Sequence, residues 1–135
     1  MSKLKEKSEF NINAAELLIA NAYFAPSIHC SYYSCFQLLK FTIKNFNNID
    51  YDILASNISS SRKNTHQFVI DYIARELIEY AGREESRKFK LKIKDLKQFR
   101  EESDYDNIEI GKDKGETALR KAKEIRNYLK TNFHV

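Results

Sequence analysis

Apolar residues recur along this chain at intervals of three and four, the period of one face of an α-helix. The clearest run is Ile28, Tyr32, Cys35, Leu39, Ile43 and Phe46. It predicts a central helix from about Pro26 to Phe46, with Pro26 in a first turn where its missing N–H is no loss. An earlier helix is predicted from about Leu4 to Ala22, with Ile12, Ala15, Ile19 and Ala22 turned inward. Asn64 or Thr65 is placed to cap a third helix that begins near His66 and ends at Gly82. That helix carries Ile70, Ile73, Leu77 and Tyr80 on one side and Phe68 and Tyr72 on another, and two covered sides in a small bundle point to a partner chain. Ala118, Ala122, Ile125, Leu129 and Phe133 form the stripe of the last helix, with Asp113 as its cap and Lys121, Lys123, Arg126 and Lys130 facing outward. Asn47 to Asn64 reads as a connection with one helical turn around Tyr51 to Ala55, and the segment after Tyr105 as a loop.

The penultimate helix departs from this scheme. Phe89, Ile93 and Leu96 make an apolar stripe, but its continuation on the same face is Arg100 and then Asp104. These two are spaced to pair on one helix, and they point where apolar side chains pointed a turn or two earlier. A buried charge is costly unless it is paired, so the spot is either a structural ion pair or a site. On another face Arg83, Arg87, Lys90, Lys94 and Lys97 line up.

Composition narrows the fold class. The chain has 135 residues, enough for one domain with a real core, and only three Gly and one Pro, too few for the turns of an all-β fold. Its 42% hydrophobic and 31% charged residues are a globular balance. The expectation is an all-α protein, an antiparallel bundle of four to five helices. Net charge is +4, and Arg83 to Arg100 alone holds eight Lys or Arg against three Asp or Glu, so the positive charge sits on one element. A solvated helix face and a phosphate-binding stripe are both consistent with that. The first ten residues lack the apolar core of a signal peptide and no run is long enough to span a membrane, so a cytoplasmic location is expected. Cys30 and Cys35 share one predicted helix on different faces and read as small buried fillers of a reducing compartment.

Several chemistries have no footing. There is no glycine-rich phosphate loop and no nucleophile elbow, and His29, His66 and His134 have no metal-ligand spacing, so neither metal nor cofactor is expected. His29 lies one turn from Tyr33 beside the central stripe, which places the two at a helix–helix contact or in a cleft, and a lone His next to an aromatic is more often packed and hydrogen-bonded than catalytic. What remains is Arg100 with Asp104 and Tyr105, joined by His66 and the pair Tyr32 and Tyr33.

The combination of A-x-S-I-H-C-S-Y-Y-S-C-F in the second helix, K-N-T-H-Q-F-V opening the third and L-x-x-F-R-E-E-S-D-Y closing the fourth resembles the HEPN domain family, prokaryotic helical bundles often encoded beside a minimal nucleotidyltransferase. The likeness runs from about Phe10 to Phe133. It implies a homodimer with a polar cleft between subunits, a toxin role with a nucleotidyltransferase antitoxin, and in many members metal-independent cleavage of RNA by an Arg followed at short range by a His. Here no Arg has a His at that distance, and Asp104 stands where the nuclease members carry the His. An imidazole near neutral pKa suits proton transfer to and from RNA oxygens, whereas an ionised carboxylate beside an Arg is a poor acid. Two expectations follow: a module that binds RNA, a nucleotide or the partner through Arg100 and the basic face, with Tyr32, Tyr33 and Tyr105 as contacts, or a ribonuclease in which His66 supplies the missing imidazole.

Overall fold

The computed structural model describes residues 3–105 and 107–135; Asp106, in the loop predicted after Tyr105, and Met1 and Ser2 of the N-terminal stretch lie outside the described residues. The described chain is all helical: α1 (Lys3–Ala20), α2 (Phe24–Asn47), α3 (Tyr51–Ser61), α4 (Thr65–Ala81), α5 (Arg83–Tyr105) and α6 (Lys112–Phe133). Among the described residues, no helix is long and apolar enough to cross a membrane.

The centre of the bundle is α2, which packs against α1, α4, α5 and α6. Its Ile28, Tyr32, Cys35, Leu38, Leu39 and Ile43 are fully buried. Small side chains on its other face, Ser27, Ser31 and Ser34, let neighbouring helices come close. Ser8 of α1 donates to the Ser34 carbonyl at 2.5 Å. A Cβ on Gly115 of α6 would sit 3.3 Å from Phe24 Cδ1 and Ser27 Oγ, so glycine is what allows α6 to cross here. Between α4 and α5 a single residue, Gly82, makes the turn at φ 91°, donating to the carbonyls of Leu77 and Ile78. Ser86 then donates to the Ala74 carbonyl at 2.6 Å and ties the two helices together.

The structure corrects several sequence expectations. The Asn47 to Asn64 connection holds a full helix, α3, started by the Asp50 side chain accepting from Ile53 N–H at 2.8 Å. Only Leu54 of α3 is buried, which is why no apolar stripe announced it. Asn64 caps α4 by accepting from Gln67 N–H. Gly111, rather than Asp113, takes the N-cap position of α6. Ala22 lies beyond the end of α1 at φ 62°, while Phe46 and Tyr80, expected in the core, are exposed and meet edge to face at 5.2 Å.

Arg126 is the largest correction. Expected to face outward, it is 4% exposed. Its guanidinium donates to Ser8 Oγ and to Glu9 Oε1 at 2.6 Å, and reaches the Ser34 carbonyl at 3.4 Å, joining α6 to α1 and α2. Arg126→Ala is expected to lower stability by about 2–3 kcal/mol through lost packing and charge-assisted bonds. Lys123→Ala, which removes only a half-exposed pair with Glu16, should change it by less than about 1 kcal/mol. Urea unfolding of both variants measures the difference.

Candidate functional site

Two pairs of side chains, each spaced one turn apart, face each other where the start of α2 lies beside the end of α5. Tyr33 follows His29 on α2, and Asp104 follows Arg100 on α5. Arg100 continues the buried stripe of Phe89, Ile93 and Leu96 and is 7% exposed. Its Nη1 lies 3.5 Å from Asp104 Oδ2, and the same oxygen is 3.0 Å from His29 Nδ1. One carboxylate is thus shared by a guanidinium and an imidazole carried on different helices.

Around the guanidinium stand three phenol rings, with its central carbon 5.3 Å from the centroid of Tyr32, 5.7 Å from Tyr33 and 5.8 Å from Tyr105. All three are within cation–π range. Burial pulls the Arg100 pKa down, but Tyr33, Tyr105, Tyr32 and Asp104 outweigh it, so the group stays charged. Its Nε is buried and has no hydrogen-bond partner among the described residues. For a group with five donors this is an incomplete set.

His66, brought in at the start of α4, meets the site from the other side of Tyr32. Its ring stacks on Phe36 with centroids 4.2 Å apart, and its Nδ1 is 2.6 Å from the Tyr32 hydroxyl. Burial, with the positive charges of Arg100 and Lys97, lowers its pKa to about 4. Burial raises that of Tyr32 well above the ordinary phenol value, though Arg100 works the other way. A protonated phenol and a neutral imidazole assign the bond as Tyr32 O–H donating to Nδ1. His66 therefore holds the ring on which Arg100 lies.

Two open clefts flank the cluster. One of about 450 Å³ is lined by Gln98, Arg100, Glu101, Glu102 and Tyr105, and the other, about 390 Å³, by Ala25, Pro26, His29, Cys30, Ser103 and Asp104. Tyr105 is exposed at the end of α5. The basic face is divided: Lys90 pairs with Asp71 at 3.0 Å and Lys97 with Glu101 at 3.5 Å, while Arg83, Arg87 and Lys94 are exposed. The two cysteines lie apart, Cys35 buried with Sγ 3.4 Å from the Ala122 carbonyl and Cys30 half-buried, and burial raises the pKa of both. Among the described residues no cluster of three or more His, Cys, Asp or Glu is placed to hold a metal ion.

Arg100, Asp104, Tyr32, Tyr33, Tyr105 and His66 thus gather at one place, whereas Arg83, Arg87, Lys90 and Lys94 lie along α5 away from either cleft. Sequence reading missed His29 as a site residue. The available signal was its one-turn spacing to Tyr33, matching that of Arg100 to Asp104 on a helix packed against it. Comparison of the chain with protein-family models, with curated proteins and with solved structures finds no match.

A neutral His66 makes a pH prediction. Its folded pKa lies below the unfolded value of about 6.5, so the unfolded chain takes up a proton that the folded one refuses, and stability falls as pH drops from near 7 toward 4. Urea midpoints measured across that window should fall more steeply for the wild type than for His66→Gln.

Proposed function

We propose that this chain is a HEPN-type helical bundle, the toxin-like member of a two-gene module with a nucleotidyltransferase, and that it binds RNA by seating a phosphate at Arg100. The observation that carries this reading is the buried guanidinium, charged, with its Nε unpartnered among the described residues, and bordering an open cleft. Such a group suits a phosphate oxyanion, which accepts from several N–H donors at once. Tyr33 and Tyr105 beside it supply ring faces on which unpaired bases stack.

Glu101 and Glu102 line the same cleft, but each is engaged by cations. Glu101 pairs with Lys97, and Glu102 accepts from Lys114 and from Gln98. Arg83, Arg87 and Lys94 extend positive potential along α5 for the rest of the strand. The homodimer and the nucleotidyltransferase partner rest on the family resemblance. A ribonuclease that draws its imidazole from His66 is less well supported. Tyr32 occupies its Nδ1, and a pKa near 4 leaves it a weak base at neutral pH.

Fluorescence anisotropy with a labelled single-stranded RNA at about 50 mM salt tests the proposal. Wild type binds, Arg100→Ala and Arg100→Lys each weaken binding by about tenfold or more, and raising the salt to about 200 mM weakens the wild type steeply. Equal binding by Arg100→Ala and wild type removes Arg100 from the interface.

A further inference from the structure

The helix α3 is held to the bundle by one fully buried side chain, Leu54, and beside that residue it leaves a cavity of about 230 Å³. Tyr51, Leu54, Ala55 and Ile58 line it from α3, the spacing of one helix face. Lys40 of α2 and Thr65, at the start of α4, close the other side. None of these residues lines the clefts beside Arg100. We propose that this cavity is a binding site for a small amphipathic carboxylate, a short acyl or aryl acid, whose head pairs with Lys40 and whose apolar body lies against α3.

Lys40 carries the inference. It is half-buried, and it pairs with no carboxylate among the described residues. A second lysine, Lys44, stands one turn further along α2, its Nζ 5.8 Å from the centroid of the Tyr51 ring. Like charges at this spacing repel each other. A structural role accounts for Lys44, which lies in the last turn of α2, where the helix dipole favours a cation. It does not account for Lys40, which lies a turn deeper and borders the cavity. The charge of Lys40 also bears on His66, together with those of Arg100 and Lys97. An anion seated at Lys40 relieves that uncompensated positive field.

The walls choose among anions. Besides the Lys40 ammonium, the polar groups of the lining are the hydroxyls of Tyr51, Ser59 and Thr65, and no guanidinium reaches it. That is a sparse donor set for a phosphate and an adequate one for a singly charged carboxylate. Leu54, Ile58 and the Tyr51 ring give an alkyl chain or an aromatic ring a surface on which to leave water. The cavity is smaller than the pockets of about 300–1,000 Å³ that take drug-sized ligands, which limits the occupant to a short chain or a single ring. Because the walls come from α2, α3 and α4, such a ligand joins the least anchored helix to the two beside it.

Octanoate titrated into the full chain, followed by two-dimensional amide NMR, tests the proposal. Saturable shifts should centre on Lys40, Leu54, Ile58 and Thr65, with a Kd of about 1 mM or tighter, a strength open to a ligand of this size. Octanol, which lacks the charge, and inorganic phosphate, which lacks the chain, should each bind at least about tenfold more weakly. Lys40→Gln should weaken octanoate binding by about tenfold or more, and Ala55→Phe, which fills the cavity from an exposed wall position, should block it. Lys94→Gln, at an exposed lysine of α5, should bind within about twofold of wild type. Opening of α3 destroys the site, so octanoate at about ten times its Kd should slow amide exchange in α3 by about tenfold. No saturable binding, binding by Lys40→Gln equal to wild type, or shifts that follow the exposed basic residues of α5 instead overturns the site. Phosphate bound as tightly as octanoate overturns the carboxylate as its ligand.

Discussion

A guanidinium held almost out of water by three phenol rings and half a carboxylate is the constraint around which the α2–α5 contact is built. Removing a charge from water costs several kcal/mol even after relaxation. Against that stand three cation–π contacts, each worth about 0.5–2 kcal/mol, a hydrogen bond with the Tyr105 side chain, and one long contact to Asp104 that is shared with His29. The unpartnered Nε costs about 1–3 kcal/mol more. Arg100 is therefore a position where the fold gives up stability, as positions that meet a ligand commonly do.

The second buried arginine shows what a structural role looks like in the same bundle. Arg126 carries bonds to Ser8, to Glu9 and toward the Ser34 carbonyl, and no nitrogen of it is left buried and unpaired among the described residues. It joins three helices and borders neither cleft beside α5. The two arginines divide the faces of α2. Serines and a glycine let α1 and α6 close on one side, and the His29 and Tyr33 side is left to meet α5. The abrupt turn at Gly82 sets where α5 begins and hence the level at which Arg100 meets Tyr32.

Helical class and the central position of the second helix were legible because burial alone sets the period of Ile28, Tyr32, Cys35, Leu39 and Ile43. The same stripe logic placed Arg100 inside. It failed where burial and residue type part company. Arg126 looks like an outward charge until Ser8 and Glu9, more than a hundred residues away in sequence, are brought to it. The helix α3 buries one residue and so leaves no periodic trace. His29 was discounted because a single imidazole carries no pattern, and its partner Asp104 lies 75 positions further along. Pairings between distant segments are set by how helices stack, and a one-helix pattern does not contain them.

The incomplete compensation of Arg100 is tested most directly by replacing it with a side chain of similar length that needs no partners. Urea unfolding of Arg100→Met should give a stability equal to wild type or higher, since the apolar chain loses no charge to desolvation and Asp104 keeps His29. A loss of more than about 2 kcal/mol, a usual size for a core truncation or a broken buried network, would make the guanidinium a lock of the bundle rather than a seat for a ligand.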